Sequence, residues 1–205
     1  MHGRRYLVSD LQIILSNKAK CHTCDTEIES THIHDFKYCN CGAETPTCIA
    51  VDGGRYYLKR LYGKDANWED TSDLIDLSHL RSAFDDITAH GYDKKNHIEC
   101  QLGWLQLVVD CHNELKRLDP NYTVLQIKQK FGGLRYYFDT KLGGEVQELM
   151  SEVVRRYEAK AEKTCELTGL DGELIRSGGW YAVRNPKYAP ADATPVNTET
   201  GDARQ

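Results

Sequence analysis

Cys21-x-x-Cys24 and Cys39-x-Cys41 place four thiols in two short pairs near the start of a 205-residue chain. Each pair can bite one ion, and the stretch between them is long enough to fold back as a hairpin. Together they offer the tetrahedral four-sulfur set that Zn²⁺ accepts. The chemistry this predicts is structural, because a four-thiolate site is closed and leaves no position at which water could be activated. The competing readings are a redox dithiol and four simply buried thiols. His22, His32 and His34 could replace one cysteine, and Cys48, seven positions beyond Cys41, is a spare thiol. The histidines read more readily as surface or turn residues, and Cys48 as a buried thiol.

The elements that must position the thiols are short. Leu11 to Leu15 reads as a strand, with Ser16-Asn17 opening the turn toward Cys21. Asn40 and Gly42 surround the second pair with turn formers, so both pairs sit where backbone N–H groups can point at sulfur. The zinc ribbon-like module is expected over residues 8–62. A segment this small buries little apolar surface, and metal binding is expected to supply on the order of 10 kcal/mol of its folding free energy.

Beyond the thiols, Ile49 to Arg60 reads as a strand, an Asp52-Gly53-Gly54 turn and an aromatic segment with three basic residues. Arg55, Tyr57, Lys59 and Arg60 could form a stacking surface for nucleic acid. In the plainer reading the tyrosines close over the thiol cluster and the charges are solvated. These residues resemble a small uncharacterised family of bacterial and bacteriophage proteins. The resemblance rests on Cys21 and Cys24, Ile28-Glu29-Ser30, His34-Asp35-Phe36, Cys39 to Gly42, Val51 to Gly54, and Tyr57 to Arg60. It implies a zinc-binding module with phage or prophage association and no known activity. Residues Glu44 to Cys48 are additional to that pattern and are expected to reshape the loop beside the metal.

Gly63 to Asp73 is polar and acidic and reads as a linker, after which an α+β domain is expected over residues 74–186. Leu74, Leu77, Leu80, Phe84 and Ile87 recur at helical spacing until Gly91. Leu102, Leu105, Val108, Val109, Cys111, His112 and Leu115 outline a second helix, with His112 a helix-face residue. Val146, Leu149, Met150, Val153 and Tyr157 stripe a third, expected to lie on the apolar face of a hairpin. That hairpin joins Tyr122–Phe131 to Leu134–Asp139 through Gly132-Gly133, which predicts Phe131 opposite Leu134, Gln129 opposite Tyr136, and Lys130 opposite Arg135. Like charges across a hairpin need a neutralising partner. Glutamates of the following helix can serve, or an external anion or nucleotide on Lys128, Lys130, Arg135 and Tyr137.

This half resembles a second uncharacterised bacterial and phage family, through Gly103-Trp104, Gln126 to Tyr137, Cys165 to Gly169, and Gly179-Trp180. The family pattern implies a further zinc site, but Thr168 stands where a cysteine belongs and the later ligands are missing. Cys165 is therefore expected as a free thiol. Residues 187–205, rich in Pro, Ala, Thr and Asp, are expected to be a disordered tail.

Composition bounds the function. A formal charge of -5 gives no global field that would attract nucleic acid or an anionic membrane, and no apolar run reaches a membrane span. With an opening segment that is not apolar, and cysteines at metal spacing rather than in a disulfide framework, a cytoplasmic protein is expected, in the host cytoplasm if phage-encoded. No P-loop, nucleophile elbow or histidine pair with a carboxylate is legible, so the sequence favours a non-enzymatic protein. Acidic catalysis at Asp52, Asp85, Asp86 or Asp110 is left open. The expected partner is a host or phage protein, with nucleic acid or nucleotide as the alternative.

Overall fold

The computed structural model describes residues 11–91 and 98–196. The protein is α+β, and it forms two compact units, Gln12–Asp76 and a second made of Leu11 with the chain from Leu77 onward.

The first unit is built from eight short strands: β1 Gln12–Ser16, β2 Lys18–Cys21, β3 Thr26–Glu29, β4 Lys37–Tyr38, β5 Ile49–Asp52, β6 Lys59–Tyr62, β7 Trp68–Asp70 and β8 Asp73–Asp76. They pair as β1-β8, β3-β2-β7 and β4-β5-β6, each pair antiparallel. The stretch 63–73, expected as a linker, is instead part of this unit, because β7 completes the ladder beside β2, with Cys21 opposite Trp68. Leu74 likewise leaves the helical pattern, pairing with Ile14 in the β1-β8 sheet. The apolar cluster here is small: Ala19, Cys21, Ile28, Cys39, Cys48, Ile49 and Val51, with Cys24, Cys41, Ala66 and Trp68 at its margin.

The second unit contains helices α1 Arg81–Ala89, α2 Leu105–Leu118 and α3 Glu145–Ala161, and strands β9 Ile98–Glu99, β10 Thr123–Lys130, β11 Gly133–Asp139, β12 Glu173–Ser177, β13 Trp180–Arg184 and β14 Thr194–Pro195. Helix α2 buries Leu105, Val108, Val109, Cys111, His112 and Leu115, the stripe that the 3.6-residue period marks out. These pack with Val124, Ile127, Leu134, Tyr136, Met150, Val153 and Tyr157 into one core.

The central hairpin forms in a different register from the one expected. Its two-residue loop is Phe131-Gly132, with φ of 50° and 75°, and Lys130 lies opposite Gly133, Gln129 opposite Leu134, Ile127 opposite Tyr136 and Lys128 opposite Arg135. A tight hairpin turn of this kind needs positive φ at both loop positions, which favours glycine but admits a strained Phe131. The change is a slide by two residues, so Ile127, Gln129, Leu134 and Tyr136 keep the face the alternation assigned them while every partner changes. The like-charged pair is therefore Lys128 and Arg135.

A second hairpin was not anticipated: β12 and β13 pair from Glu173 opposite Arg184 to Ser177 opposite Trp180, around Gly178 and Gly179, whose φ values are 53° and 84°. The tail is also ordered further than its composition suggests. Tyr188 is buried, β14 pairs with β12, and Asp192 accepts from the Ser177 hydroxyl and the Gly178 N–H. The remaining positions of the expected tail, 197–205, lie outside the described residues.

Gly103 shows how closely this unit is packed. A Cβ added there would stand 2.5 Å from the Cys165 carbonyl oxygen and 2.6 Å from the Thr168 and Gly169 nitrogens. Backbone atoms cannot swing aside, so Gly103→Ala is expected to destabilise the protein by about 3 kcal/mol. Urea denaturation followed by fluorescence of the neighbouring, fully buried Trp104 measures it.

Candidate metal centre

The thiol cluster is assembled by turns at the ends of strands. Cys21 closes β2, Cys24 lies in the turn before β3, and Cys39 and Cys41 follow β4. Asp25, with φ of 54°, and Gly42, with φ of 90°, reverse the chain beside each pair. The four sulfurs lie within 4.8 Å of one another. Cys21 Sγ and Cys41 Sγ are 3.8 Å apart, equal to the roughly 3.8 Å edge of a tetrahedron whose metal–sulfur bonds are about 2.3 Å. The Ile49 N–H points at Cys39 Sγ at 3.4 Å, and the Thr26 hydroxyl lies 3.2 Å from Cys24 Sγ. Both are donors suited to a thiolate.

The ionisation of the cluster is divided among its members. The Thr26 hydroxyl draws the Cys24 thiol down to about 6, against burial and with help from the Cys41 and Cys21 sulfurs. At Cys39 burial opposes ionisation, but the backbone N–H groups of Ile49 and Cys41 outweigh it and lower the thiol. At Cys41 the Thr47 hydrogen bond pulls downward, while burial and the three neighbouring sulfurs push the thiol up to about 12. Four thiolates so close repel one another, and a divalent cation among them removes that penalty. The donor set, spacing and electrostatics thus fit a metal ion.

The other candidate ligands lie elsewhere. The Cys48 thiol donates to the Ile49 carbonyl at 3.4 Å, and burial raises it. His22 Nε2 lies 3.8 Å from Glu69 and His32 Nδ1 lies 3.7 Å from Asp35. His34 is exposed, in a turn with φ of 65°. Cys165 is a buried free thiol. Its turn is held by backbone bonds instead, with the Gly169 N–H donating to the Cys165 carbonyl at 2.8 Å.

The basic residues proposed for anion binding are largely engaged within the chain. Arg60 donates to Asn17 Oδ1 at 2.7 Å, to the Lys18 carbonyl at 3.1 Å and to Ser72 Oγ at 2.8 Å, and it pairs with Asp70 at 2.9 Å. It holds β6 to β2 and β7, and its side chain is 12% exposed. Tyr57 donates to Asp52 Oδ2 at 3.3 Å, and Lys59 sits over the Phe36 ring at 4.7 Å. Arg55 is exposed beyond the Gly53-Gly54 turn. In the second unit Arg135 lies 3.9 Å from Glu158 of α3, Lys128 lies over Tyr137 at 5.4 Å, and Lys130 over Phe131 at 5.6 Å. The glutamate of the following helix therefore supplies part of the neutralisation that the like-charged pair requires.

A second cluster escaped sequence reasoning. Asp86 and His90 come together with His112, their ligand atoms within 4.8 Å of one another. His112 is fully buried, with Nε2 2.9 Å from Asp86 Oδ2 and Nδ1 2.5 Å from the Tyr122 hydroxyl, which lies 2.8 Å from the Tyr136 hydroxyl. Lys116 Nζ donates to Asp86 Oδ2 at 2.6 Å. The Lys116 and His112 hydrogen bonds hold the Asp86 carboxyl at about 2. The histidine pair with a carboxylate that was not legible in the sequence is thus formed by folding. The one signal available was Asp86 and His90 at i, i+4 in a helical pattern.

The fold and the thiol cluster define a two-unit α+β protein whose β unit carries a four-cysteine cluster with the spacing of a metal site. Residues 13–62, spanning all four cysteines, match the family model described as Domain of unknown function (DUF7695). No curated protein and no solved structure matches the chain. Among the described residues no helix is long and apolar enough to cross a membrane.

Proposed function

We propose that Cys21, Cys24, Cys39 and Cys41 hold a structural Zn²⁺, and that the protein is a non-enzymatic binding or regulatory factor acting on another protein. The setting envisaged is a phage or prophage accessory factor engaging a host protein. The observation that carries the metal reading is the sulfur cluster itself, four ligands with a tetrahedral edge and N–H and O–H donors aimed at sulfur. Bound there, zinc would fasten the turns of the unit and would perform no reaction.

The partner reading rests on the β4-β5-β6 sheet. Tyr38, Ala50 and Leu61 lie side by side across it, and Tyr38 and Leu61 are 47% and 46% exposed. Phe36 stacks beside Tyr38 at 6.4 Å, with Lys59 Nζ over the Phe36 ring. Aromatic and aliphatic groups on a rigid sheet, rimmed by a cation, suit a protein interface. Arg60 alternates to the opposite face of the sheet from Leu61 and is engaged internally, so it adds no cation to this surface for a phosphate backbone.

The test is capture of binding partners from bacterial lysate by the zinc-loaded chain, with and without nuclease and at low and high salt. A protein partner retained through both treatments, and lost from a Tyr38→Ser/Leu61→Ser variant that keeps its zinc, is the expected outcome. Binding that vanishes with nuclease or falls steeply with salt would overturn the protein-partner reading in favour of nucleic acid.

A further inference from the structure

We propose that Asp86, His90 and His112 form a second metal site, which takes a divalent transition ion of the zinc, cobalt or nickel class. Two imidazoles and a carboxylate are the donors these ions accept. Asp86 and His90 stand four residues apart at the end of α1, on one side of the helix, and His112 faces them from α2.

The spacing is close to that of a loaded site. Ligand bonds of about 2.0–2.1 Å to a tetrahedral ion put neighbouring donors about 3.3 Å apart. His112 Nε2 to Asp86 Oδ2 is 2.9 Å and His90 Nδ1 to Asp86 Oδ1 is 3.7 Å, and one ligand atom from each of the three residues lies within 4.8 Å of the other two, so each carboxylate oxygen already faces one imidazole nitrogen. The site reaches solvent through Asp86 and His90, with side-chain exposures of 35% and 16%.

The surrounding hydrogen bonds are those a metal-bound histidine requires. A ligating imidazole donates its other N–H to a fixed acceptor. His112 Nδ1 already faces the Tyr122 hydroxyl, and the Tyr122–Tyr136 pair can reverse its hydroxyl hydrogens without moving heavy atoms. Tyr122 thus becomes the acceptor when Nε2 takes the ion. His90 meets the same requirement. Its Nδ1 lies 2.9 Å from the Asp86 carbonyl and its Nε2 3.3 Å from the Pro120 carbonyl. With Nδ1 turned from the Asp86 carbonyl to an ion at the Asp86 carboxylate, Nε2–H keeps the Pro120 carbonyl as its acceptor.

Lys116 competes for the site. Its ammonium rests on Asp86 Oδ2, but its side chain is 40% exposed and can withdraw into water. The ion and the ammonium therefore exclude each other at that oxygen.

The experiment uses the full chain, first given one equivalent of Zn²⁺ and freed of excess, then titrated with Co²⁺ by calorimetry and visible absorption. One further ion per chain is expected, with ligand-field bands but no thiolate-to-cobalt charge transfer. His90→Gln and Asp86→Asn should abolish that binding while circular dichroism stays unchanged. Tyr122→Phe should weaken it by roughly 10-fold or more, and Lys116→Gln should tighten it. Absence of a second ion, or equal binding by the His90→Gln and Asp86→Asn variants, overturns the proposal. Charge-transfer bands at the first cobalt equivalent mean that zinc had not filled the thiols; this counts against the zinc reading, and the nitrogen–oxygen bands are then scored separately.

Discussion

Cys39→Ser is expected to unfold residues 12–76 as a unit while the chain from Leu77 onward keeps its fold. Seven side chains form the buried apolar cluster of this unit, and three of them are cysteines. Ile28, Ile49 and Val51 are its only large aliphatic members, and even with Ile13 and Leu15, buried elsewhere in the unit, at about 1.5–3 kcal/mol each they fall far short of the cost of ordering eight strands. Zinc ligation in small domains contributes on the order of 10 kcal/mol or more, comparable to the whole net stability of a typical domain. Removing one thiolate leaves an incomplete ligand set, and the oxygen of serine is a poor replacement. Two-dimensional NMR gives the decision, with zinc content measured in parallel. In the variant, the dispersed amide signals of residues 12–76 should collapse while those of the core around Trp104 persist. A strong chelator added to the native protein should reproduce that pattern and zinc should reverse it. A variant with native dispersion would show that the sulfurs are packed rather than ligated.

How much of this was legible depends on the range over which each feature is specified. The thiol spacing is local, and the four cysteines it singled out come together in the structure, Cys21 at the end of β2 and the others in the turns beyond β2 and β4. The stripe of α2 is local as well, and all six residues the helix buries had been marked by their period. Register is a different kind of information. The hairpin slide of two residues preserves both faces, so alternation could not separate the two pairings; the choice lay in whether Phe131 would accept a positive φ. Long-range pairing was least visible. Asp70 and its neighbours look like a polar linker until Lys18–Cys21 lies alongside, and the Asp86–His112 contact joins residues 26 positions apart. The missed β12-β13 hairpin is of another sort, since Gly178-Gly179 between Ile175 and Tyr181 carried the same two-residue signal that was used for the first hairpin.

Asn17 carries the second large expected effect. In sequence it is a turn former; in the structure it is fully buried between β1 and β2. Its Nδ2 donates to the carbonyls of Asp52, Gly54 and Tyr57 at 2.9–3.1 Å, and its Oδ1 accepts from Arg60 at 2.7 Å. One amide therefore fixes the Asp52-Gly53-Gly54 turn against the strands that deliver the thiols. The turn is tight, since a Cβ on Gly54 would lie 2.6 Å from the His32 Cα. Asn17→Asp preserves shape and the Arg60 contact but replaces the donor with an oxygen that faces three carbonyls. The two amide N–H groups are lost, and each buried carbonyl left without a donor costs about 1–3 kcal/mol, so a loss of about 3 kcal/mol is expected in zinc-loaded protein. Asn17→Ala should fall between the two, because it removes the donor without adding charge. Urea midpoints at matched zinc occupancy measure the series. An Asn17→Asp protein as stable as the native chain would mean that the turn is held by its glycines and by the Gly54 N–H to Ser30 Oγ bond. The face bearing Tyr38 and Leu61 would then owe nothing to the buried amide.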